Sequence, residues 1–358
     1  MNSRKRFLCT LQGGIPDRPP VFASFTPQVA RKVADHLGLP YEEPIDSMLS
    51  TRISHMELLT SLGNDIVGIA ANAPDDAPTR EENGLFKNEW GMVFKNVGLY
   101  NEFAEHPLAR AESKEDIEQY PMPDPFAAGR FTSAQQTYQK YSEDYGVIAD
   151  LETSFFETAW YLTGMEKMLM DLMLRPDYLE PLFDRIAWIN TEIGKKLVAM
   201  GADMIWAGDD FGAQNSMIMD PGIWRAIFKP RIKKMFEEFR GVNPNIKIAW
   251  HSCGSIIPII KDFIEIGLDV LNPIQPLADG NDPEYLINEY GKDLIFFGGI
   301  DVQELIPNGT PLQIKNEVKR RAEILGNKGG YIIAPAHNIQ DDTPVENVLA
   351  FFEAVKEL

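Results

Sequence analysis

The sequence predicts an α/β fold of the (β/α)8 TIM-barrel type with one insertion, in a single domain that spans residues 1–358. Short apolar runs of strand length alternate with helical patterns, and eight such pairs occur along the chain. The strand runs are apolar throughout, as expected of parallel strands that are covered on both faces. Barrels of this type run from about 200 to more than 400 residues. An open, doubly wound sheet is the competing architecture.

The composition is that of a folded protein with an acidic surface. Hydrophobic residues make up 44% and charged residues 24% of the chain. Lys and Arg number 34 against 53 Asp and Glu, and the net charge of −19 disfavours nucleic acid and anionic membranes as partners. Only Cys9 and Cys253 occur, and neither an export signal nor a membrane-spanning apolar run is visible. We therefore expect a cytoplasmic protein.

The first part of the chain contains two predicted strands and then an interruption. The strands and helical stretches are, in order, Val21–Phe25, Pro27–Leu37, Glu42–Leu62 with Asp46 as its cap, and Asn64–Ile69. Residues 71–144 break the alternation, because several prolines, a hairpin-like stretch over 85–100 and a helix near 133–141 follow one another there. We predict that this segment is an insertion after the second strand.

The alternation becomes regular from Gly146 onward. The predicted strands are Gly146–Ala149, Asp203–Ala207, Ile246–Trp250, Asp269–Leu271, Leu294–Gly298 and Tyr331–Ala334. Helical patterns cover Phe155–Leu174 and Asp177–Met200, and further helices are predicted to start near Pro221, Ser255, Pro283, Pro311 and Pro344. Proline suits the first helical turn, and Asp or Thr directly before it suits the N-cap. This completes eight strand and helix pairs.

The fifth predicted strand ends in His251-Ser252-Cys253-Gly254. The active site of a (β/α)8 barrel lies at the carboxyl ends of its strands. Side chains of an extended chain alternate with a period of two, so His251 and Cys253 are expected on the same side. His337 follows the eighth strand. We expect these three side chains to meet near the barrel mouth.

Other polar residues follow the remaining strands. They are Glu152 and Glu157 after the third strand, Asp209, Asp210 and Gln214 after the fourth, Asn272 after the sixth, and Asp301 after the seventh. For the three aspartates we predict catalytic roles, either orienting other groups or hydrogen bonding the substrate. For Glu152, Gln214 and Asn272 we predict substrate binding. The alternative is that the carboxylates cap the helices that follow.

Two imidazoles and one thiolate fit a catalytic zinc site, which commonly has three protein ligands and one open position. Such a metal would bind the thiol or hydroxyl of a small substrate as an anion, which suits transfer of an alkyl group to sulfur. The structural alternative is that Cys253 is simply buried and that the histidines bond to loop carbonyls. No GxGxxG, GxxxxGK[ST] or GxSxG motif follows a strand, which leaves Rossmann, P-loop and nucleophile-elbow chemistry unsupported.

Several motifs together resemble the uroporphyrinogen decarboxylase superfamily. They are Pro16–Val21 (PDRPPV), Ala159–Glu166 (AWYLTGME), Asp209–Gln214 (DDFGAQ), His251–Gly254 (HSCG), Gly299–Asp301 (GID) and Thr343–Asn347 (TPVEN). This is a (β/α)8-barrel family that includes zinc-dependent methyltransferases acting on methylated corrinoid proteins. In that branch, a His-x-Cys after the fifth strand and a cysteine after the eighth bind zinc. His251 and Cys253 match this pattern, whereas His337 stands in place of the last cysteine and also resembles the decarboxylases.

The resemblance implies a Zn(II)-dependent methyltransferase that moves a methyl group between a corrinoid protein and a small molecule. The alternative is a lyase that decarboxylates a tetrapyrrole or another carboxylated substrate. True decarboxylases have an arginine-rich loop after the first strand, but Phe25–Arg31 lacks the paired arginines, so the available cations are Arg31, Arg52 and Arg80. A third hypothesis is a non-catalytic carrier of a corrinoid or tetrapyrrole. An outer apolar helix face would suit a homodimer, although no residue argues for one.

Overall fold

The computed structural model describes residues 1–45, 52–77, 79–97 and 101–358. The strands in these ranges are β1 (Ile66–Ala70), β2 (Arg80–Glu82), β3 (Leu85–Lys87), β4 (Val93–Asn96), β5 (Asn101–Glu105), β6 (Gly146–Asp150), β7 (Met204–Gly208), β8 (Lys247–His251), β9 (Val270–Ile274), β10 (Ile295–Ile300) and β11 (Tyr331–Pro335). Seven of them form one parallel sheet in the order β1-β6-β7-β8-β9-β10-β11. Every strand of this sheet therefore ends at the same edge, where the sequence places its polar residues.

Helices separate the strands of the parallel sheet. They are α1 (Ser3–Leu11), α2 (Pro27–Leu37), α3 (Met56–Leu62), α4 (Lys114–Gln119), α5 (Thr132–Tyr141), α6 (Phe156–Thr163), α7 (Met165–Leu174), α8 (Leu179–Met200), α9 (Pro221–Val242), α10 (Ile260–Glu265), α11 (Pro283–Tyr290), α12 (Leu305–Asn308), α13 (Pro311–Gly326) and α14 (Val345–Lys356). A short 3-10 helix over Ile257–Ile259 precedes α10. None of the helices in the described ranges combines the length and apolar character that a bilayer span requires.

The predicted first strand, Val21–Phe25, takes part in isolated bridges and is not a continuous strand. Val21 pairs with Ile333 of β11 and Phe25 pairs with Ile339, both in parallel orientation. On the other side of this segment, the carbonyl of Val21 accepts a hydrogen bond from the backbone N–H of Asp65, at 2.9 Å. The segment therefore contacts the last strand of the sheet on one side and the residue that precedes β1 on the other.

The predicted helix starts at proline are confirmed for α9, α11 and α13. The side chains of the preceding residues accept backbone N–H groups of the first turn, and these caps are Asp220, Asp282 and Thr310. Helix α14 begins one residue after Pro344. The local sequence is sufficient here, because a cap and a proline satisfy or remove backbone N–H groups that have no partner within the helix.

Two predicted helices differ from the structure. The stretch predicted as one helix over Glu42–Leu62 contains α3 at its end, and the predicted cap Asp46 lies outside the described residues. The stretch over Phe155–Leu174 is divided into α6 and α7 at Gly164. Gly164 has a φ of 92°, a backbone conformation that favours glycine and that ends the first helix.

Between β1 and β6 the chain forms a small separate sheet. Strands β2, β3, β4 and β5 pair antiparallel in that order. Helices α4 and α5 follow, and α5 covers the predicted helix near residues 133–141. Residues 78 and 98–100, the latter at the end of the predicted hairpin, lie outside the described ranges.

Side chains of the parallel strands alternate between two hydrophobic clusters, as a period of two requires. The cluster on the concave side takes Phe22 and residues from all seven strands: Ile66, Ile148, Met204, Trp206, Ala249, Val270, Phe297, Ile332 and Ala334. Phe7 and Leu11 of α1 belong to the same cluster. Phe7 packs next to Gly146, the first residue of β6, so α1 lies at the amino-terminal edge of the sheet. The opposite, carboxyl edge carries the candidate site.

Candidate metal and substrate site

His251 is the last residue of β8 and belongs to the same face as Ala249, two residues earlier. Its side chain is 11% exposed. Cys253 lies two residues further on, and its Sγ is 3.4 Å from Nε2 of His251. The predicted convergence of imidazole and thiol is therefore present, and the alternation of side chains in an extended chain accounts for it.

Asn272 holds the His251 ring in one orientation. The Oδ1 atom of Asn272 lies 2.7 Å from Nδ1 of His251, while Nδ2 of Asn272 donates to the carbonyl of Phe297. An amide oxygen only accepts, so Nδ1 of His251 carries the hydrogen. Nε2 then presents a lone pair towards Cys253, as a metal-binding imidazole requires. Asn272, which we predicted to bind substrate, contacts His251.

Asp210 supplies a third ligand atom beside this pair. Its Oδ1 lies 3.5 Å from Nε2 of His251 and accepts the backbone N–H of Cys253 at 2.7 Å. The three ligand atoms all lie within 4.8 Å of one another. Nitrogen, oxygen and sulfur ligands of one tetrahedral zinc ion are about 3.3–3.8 Å apart. The distances of 3.4 Å and 3.5 Å from Nε2 of His251 to the other two ligand atoms lie in this range.

The electrostatics of this trio also suit a cation. Burial lowers the pKa of His251 to about 3, with a further contribution from the charge of Arg52, so the ring is neutral. Burial raises the pKa of the Cys253 thiol well above its usual range, and the nearby carboxylates of Asp210 and Glu157 raise it further. Two acidic groups next to a thiol disfavour a free thiolate. A bound divalent cation would reverse that effect.

Glu157 and Tyr161, both on α6, extend the cluster behind Asp210. Glu157 accepts the backbone N–H of Asp210 at 3.2 Å and the hydroxyl of Tyr161 at 2.9 Å. Burial raises the pKa of Glu157 well above its usual range, and so do the charges of Asp210 and Asp209. Glu157 therefore lies within hydrogen-bonding contact of a candidate ligand, whereas substrate contact and helix capping were the two roles expected from its position after the third strand.

Asp209 holds a loop and does not point towards the ligand trio. Its carboxylate accepts the backbone N–H groups of Ser154, Phe155 and Glu157 at the start of α6. The side chain is fully buried, and burial raises its pKa to about 7 in spite of these N–H donors. Two adjacent aspartates, Asp209 and Asp210, thus lie in different surroundings. Asp209 thus contacts the start of α6, which precedes it in the chain, and not the helix that follows it, so its contacts differ from the capping alternative.

Asp301 also accepts backbone N–H groups at the start of a helix. Its carboxylate accepts the backbone N–H groups of Gln303, Glu304 and Leu305, at the start of α12. These contacts are those of a helix cap.

The two other predicted substrate-binding residues, Glu152 and Gln214, each make a hydrogen bond within the protein. Glu152 is buried with a φ of 57°, and its backbone N–H donates to Asp150 at 2.8 Å. Gln214 donates its side-chain amide to the carbonyl of Leu277.

His337 lies next to the trio and is not part of it. Its ring centroid is 6.3 Å from that of His251. His337 is an exposed residue whose ring is partly enclosed by protein atoms, and this enclosure, together with His251 and the charge of Arg52, lowers its pKa to about 4. We predict His337 as the third ligand from the sequence, and in the structure a carboxylate oxygen of Asp210 is the atom that lies within 4.8 Å of both other ligand atoms. The loop after β7 passes closer to Cys253 than the loop after β11.

A pocket opens beside His251 and His337. Its other lining residues are Phe22, Ala23, Ser24, Arg52, Trp206, Asn272, Phe297, Ala334, Pro335, Ala336 and Asn338. The guanidinium carbon of Arg52 lies 4.3 Å from the centroid of the Trp206 ring. From the sequence alone, Trp206 is indistinguishable from a core residue, because it lies in an apolar strand. The sequence does contain one signal for Trp206. It lies two residues before Gly208, the last residue of β7, so the period of two places both on the same face of the strand.

Comparison with known proteins supports the resemblance seen in the motifs. The sequence profile of the family "Uroporphyrinogen decarboxylase (URO-D)" matches residues 100–358. A methylated-thiol--coenzyme M methyltransferase of Methanosarcina mazei is 27% identical over 210 residues, which are 59% of this chain and 53% of that protein. The methylcobamide:CoM methyltransferase MtaA of Methanosarcina barkeri is 25% identical over 181 residues, 49% of each chain. This chain thus spans about half the length of these curated relatives.

A solved structure of a methyltransferase from Methanosarcina mazei has the same fold. The TM-score is 0.70 with 20% sequence identity, and the match covers 100% of this chain and 99% of the other.

Proposed function

Since the chain belongs to the uroporphyrinogen decarboxylase (URO-D) family, we propose that it is a zinc-dependent methyltransferase acting between a corrinoid protein and a small molecule. Two relatives of this family that match the chain are methyltransferases by name, and one name includes methylcobamide. The small molecule would be a thiol or hydroxyl compound that gains or loses the methyl group.

We further propose that the whole chain is one (β/α)8 barrel with an insertion between β1 and β6. The Val21–Phe25 segment would be the eighth strand, because it hydrogen bonds towards both β11 and β1. A closed barrel would gather the polar residues at one mouth, where the pocket and the ligand trio lie.

Zinc would be held by Asp210, His251 and Cys253, leaving one position open for the small molecule. When bound, zinc keeps a coordinated thiol deprotonated near neutral pH and so makes its sulfur nucleophilic. Asn272 fixes the tautomer of His251, and Glu157 and Tyr161 lie behind Asp210. The observation that carries the proposal is the spacing of 3.4 Å and 3.5 Å from Nε2 of His251 to the other two ligand atoms.

Metal analysis of the purified chain tests this proposal, with the two cysteines as a matched pair. The wild-type protein and Cys9→Ala are expected to bind one zinc per chain with similar affinity. Cys253→Ala is expected to bind zinc at least about tenfold more weakly, because one of three ligands is lost. Equal zinc binding by all three proteins, or none by the wild type, would contradict the proposal.

Activity is tested by mixing the zinc-loaded chain with methylcobalamin and a simple thiol, and following the corrinoid absorbance. Methyl transfer is expected for the wild type and Cys9→Ala, and not for Cys253→Ala. The competing decarboxylation is tested with uroporphyrinogen, from which we expect no carbon dioxide. Among the described residues that line the pocket, Arg52 is the one Arg or Lys. Arg31 pairs with Glu43 on the surface, and Arg80 lies on the exposed strand β2.

A further inference from the structure

Tyr161 on α6 is connected to the candidate metal site through Glu157. The two residues are four positions apart in the helix, so their side chains lie on the same face. The Tyr161 hydroxyl donates to Oε1 of Glu157 at 2.9 Å. The other oxygen of that carboxylate, Oε2, accepts the backbone N–H of Asp210 at 3.2 Å. Glu157 therefore bridges Tyr161 and Asp210.

Asp210 is held at two points, its backbone and its carboxylate. Glu157 accepts the backbone N–H of Asp210, and Oδ1 of Asp210 accepts the backbone N–H of Cys253 at 2.7 Å. The same Oδ1 atom lies 3.5 Å from Nε2 of His251. The Asp210 side chain is 36% exposed, so packing alone does not fix it. The direction in which it presents Oδ1 depends on these two hydrogen bonds.

The orientation of the Glu157 carboxylate depends in turn on Tyr161. The last torsion of a glutamate side chain is broad, so a carboxylate with a single donor turns easily. Each oxygen of Glu157 has a different donor, and the two donors together define the plane of the group. The Tyr161 hydroxyl on Oε1 therefore keeps Oε2 directed towards Asp210.

The Tyr161 side chain is itself fixed. Its ring stacks on Phe103 of β5, with 4.7 Å between the ring centroids and 22° between the planes. Its backbone carbonyl lies 2.8 Å from Nδ1 of His106. Burial raises the pKa of Tyr161 well above its usual range, and the charge of Glu157 raises it further, so the hydroxyl keeps its proton. Tyr161 is thus a donor in a defined position.

We infer that Tyr161 is a positioning residue of the candidate metal site, which through Glu157 directs Oδ1 of Asp210 towards Cys253 and His251. This role needs no contact between Tyr161 and the metal or the substrate. The inference rests on the proposed function only in that this function makes Asp210 a metal ligand.

The alternative is that the Tyr161 hydroxyl only satisfies a buried carboxylate. The N–H of Cys253 would then direct Asp210 by itself. Loss of the hydroxyl would lower the stability of the fold without moving Asp210. The two alternatives therefore differ in what happens to the hydrogen bond between Asp210 and Cys253.

The test uses Tyr161→Phe, which removes the hydroxyl and keeps the ring that stacks on Phe103. The chain has two cysteines, Cys9 and Cys253, so protein labelled with ¹⁵N at cysteine alone gives two backbone amide signals, which Cys9→Ala assigns. An amide proton signal moves upfield when its hydrogen bond lengthens. In the metal-free chain, Tyr161→Phe is expected to move the Cys253 signal upfield, because its acceptor Asp210 turns away. The Cys9 signal is expected to stay unchanged.

Tyr331→Phe is the matched control. The Tyr331 hydroxyl also donates a buried hydrogen bond, to the carbonyl of Gly298 at 2.8 Å. Tyr331 is the first residue of β11, at the end of the strand away from the site. The control is expected to lose stability and to leave both cysteine signals unchanged.

Glu157→Gln is a second variant, which carries the test if Tyr161→Phe does not fold. A glutamine side chain offers one acceptor oxygen where the carboxylate offers two, so one of the two donors loses its partner. This variant is expected to move the Cys253 signal in the same direction.

Zinc affinity, measured by competition with a chromophoric chelator, is the second readout. Tyr161→Phe is expected to bind zinc at least about threefold more weakly than the wild type, as the loss of one hydrogen bond behind a ligand implies. Tyr331→Phe is expected to bind zinc as the wild type does.

An unchanged Cys253 signal in folded Tyr161→Phe would overturn the inference, and so would an equal shift in Tyr331→Phe or an unchanged zinc affinity of Tyr161→Phe. If the signal stays unchanged while zinc binds and methyl groups are transferred, the inference is wrong and the proposed function stands. If the signal moves but the wild type binds no zinc, Tyr161 positions Asp210 and the proposed function is wrong.

Discussion

At the scale of single residues, the site depends on which of two adjacent aspartates faces Cys253. Asp210 accepts the backbone N–H of Cys253, and Asp209 accepts N–H groups at the start of α6. Asp209 is fully buried, whereas the side chain of Asp210 is 36% exposed. Both have the same chemistry in the sequence. Because their surroundings differ, Asp209 stabilises the loop before α6, whereas Asp210 is placed as a candidate metal ligand.

The ligand assignment makes a prediction that separates Asp210 from His337. Asp210→Ala is expected to weaken zinc binding at least about tenfold, and His337→Ala is expected to leave it within about threefold, because loss of a coordinating group costs more than loss of a neighbour. The affinities are measured by competition with a chromophoric chelator. The reverse order would restore the set of His251, Cys253 and His337 that the sequence suggested.

Among the secondary-structure elements, the register of the parallel strands determines which residues lie side by side at the carboxyl edge of the sheet. The loops that follow determine which of these residues approach the candidate site. Three polar residues each lie two positions beyond a residue of the hydrophobic cluster on the concave side, and these are His251, Asn272 and Asp150. Parallel pairing places His251 level with both Gly208 and Asn272. Gly208 has no side chain, and the ring of His251 lies in the space next to it, since a Cβ there would be 2.6 Å from the Cβ of His251. The small residue on β7 thus permits the bulky one on β8.

Helix α1 makes a stability prediction, because it closes the edge of the sheet opposite the site. Phe7 is fully buried against the start of β6. Phe7→Ala is expected to lower the free energy of unfolding by about 3–5 kcal/mol, as for other buried phenylalanines. Zinc bound per folded chain should not change. Urea denaturation measures the first quantity and metal analysis the second.

Phe126→Ala is the control for this prediction, because Phe126 is 50% exposed. Its effect on unfolding is expected to be within about 1 kcal/mol. A large loss of zinc in folded Phe7→Ala would show that the two edges of the sheet are coupled.

At the scale of the whole molecule, the buried carboxyl of Asp209 gives stability a pH dependence. Its folded-state pKa is raised from 3.8 to about 7, so the folded chain keeps a proton that the unfolded chain releases above about pH 4. This contribution to the free energy of unfolding is fully present below about pH 4 and is lost as the pH rises to about 7. The slope is at most about 1.4 kcal/mol for each pH unit.

The measurement is the difference in unfolding free energy between the wild type and Asp209→Asn from pH 4 to pH 8. The difference is expected to shift against the wild type up to about pH 7 and then to level off, because asparagine does not titrate. A difference that is constant with pH would mean that Asp209 is ionised throughout, held so by its backbone N–H donors.

The parallel sheet, most helix starts, the proximity of His251 to Cys253 and the family are all predictable from the amino-acid sequence. Each of these follows from a local rule: apolar runs, proline after a cap, a period of two in a strand, and contiguous motifs. Only the three-dimensional arrangement shows that Asp210, and not His337, lies within 4.8 Å of both His251 and Cys253, that Asn272 orients His251, and that Arg52 reaches the pocket. These outcomes depend on where separate loops end in space, and neighbouring residues in a sequence carry no information about the distance between loops.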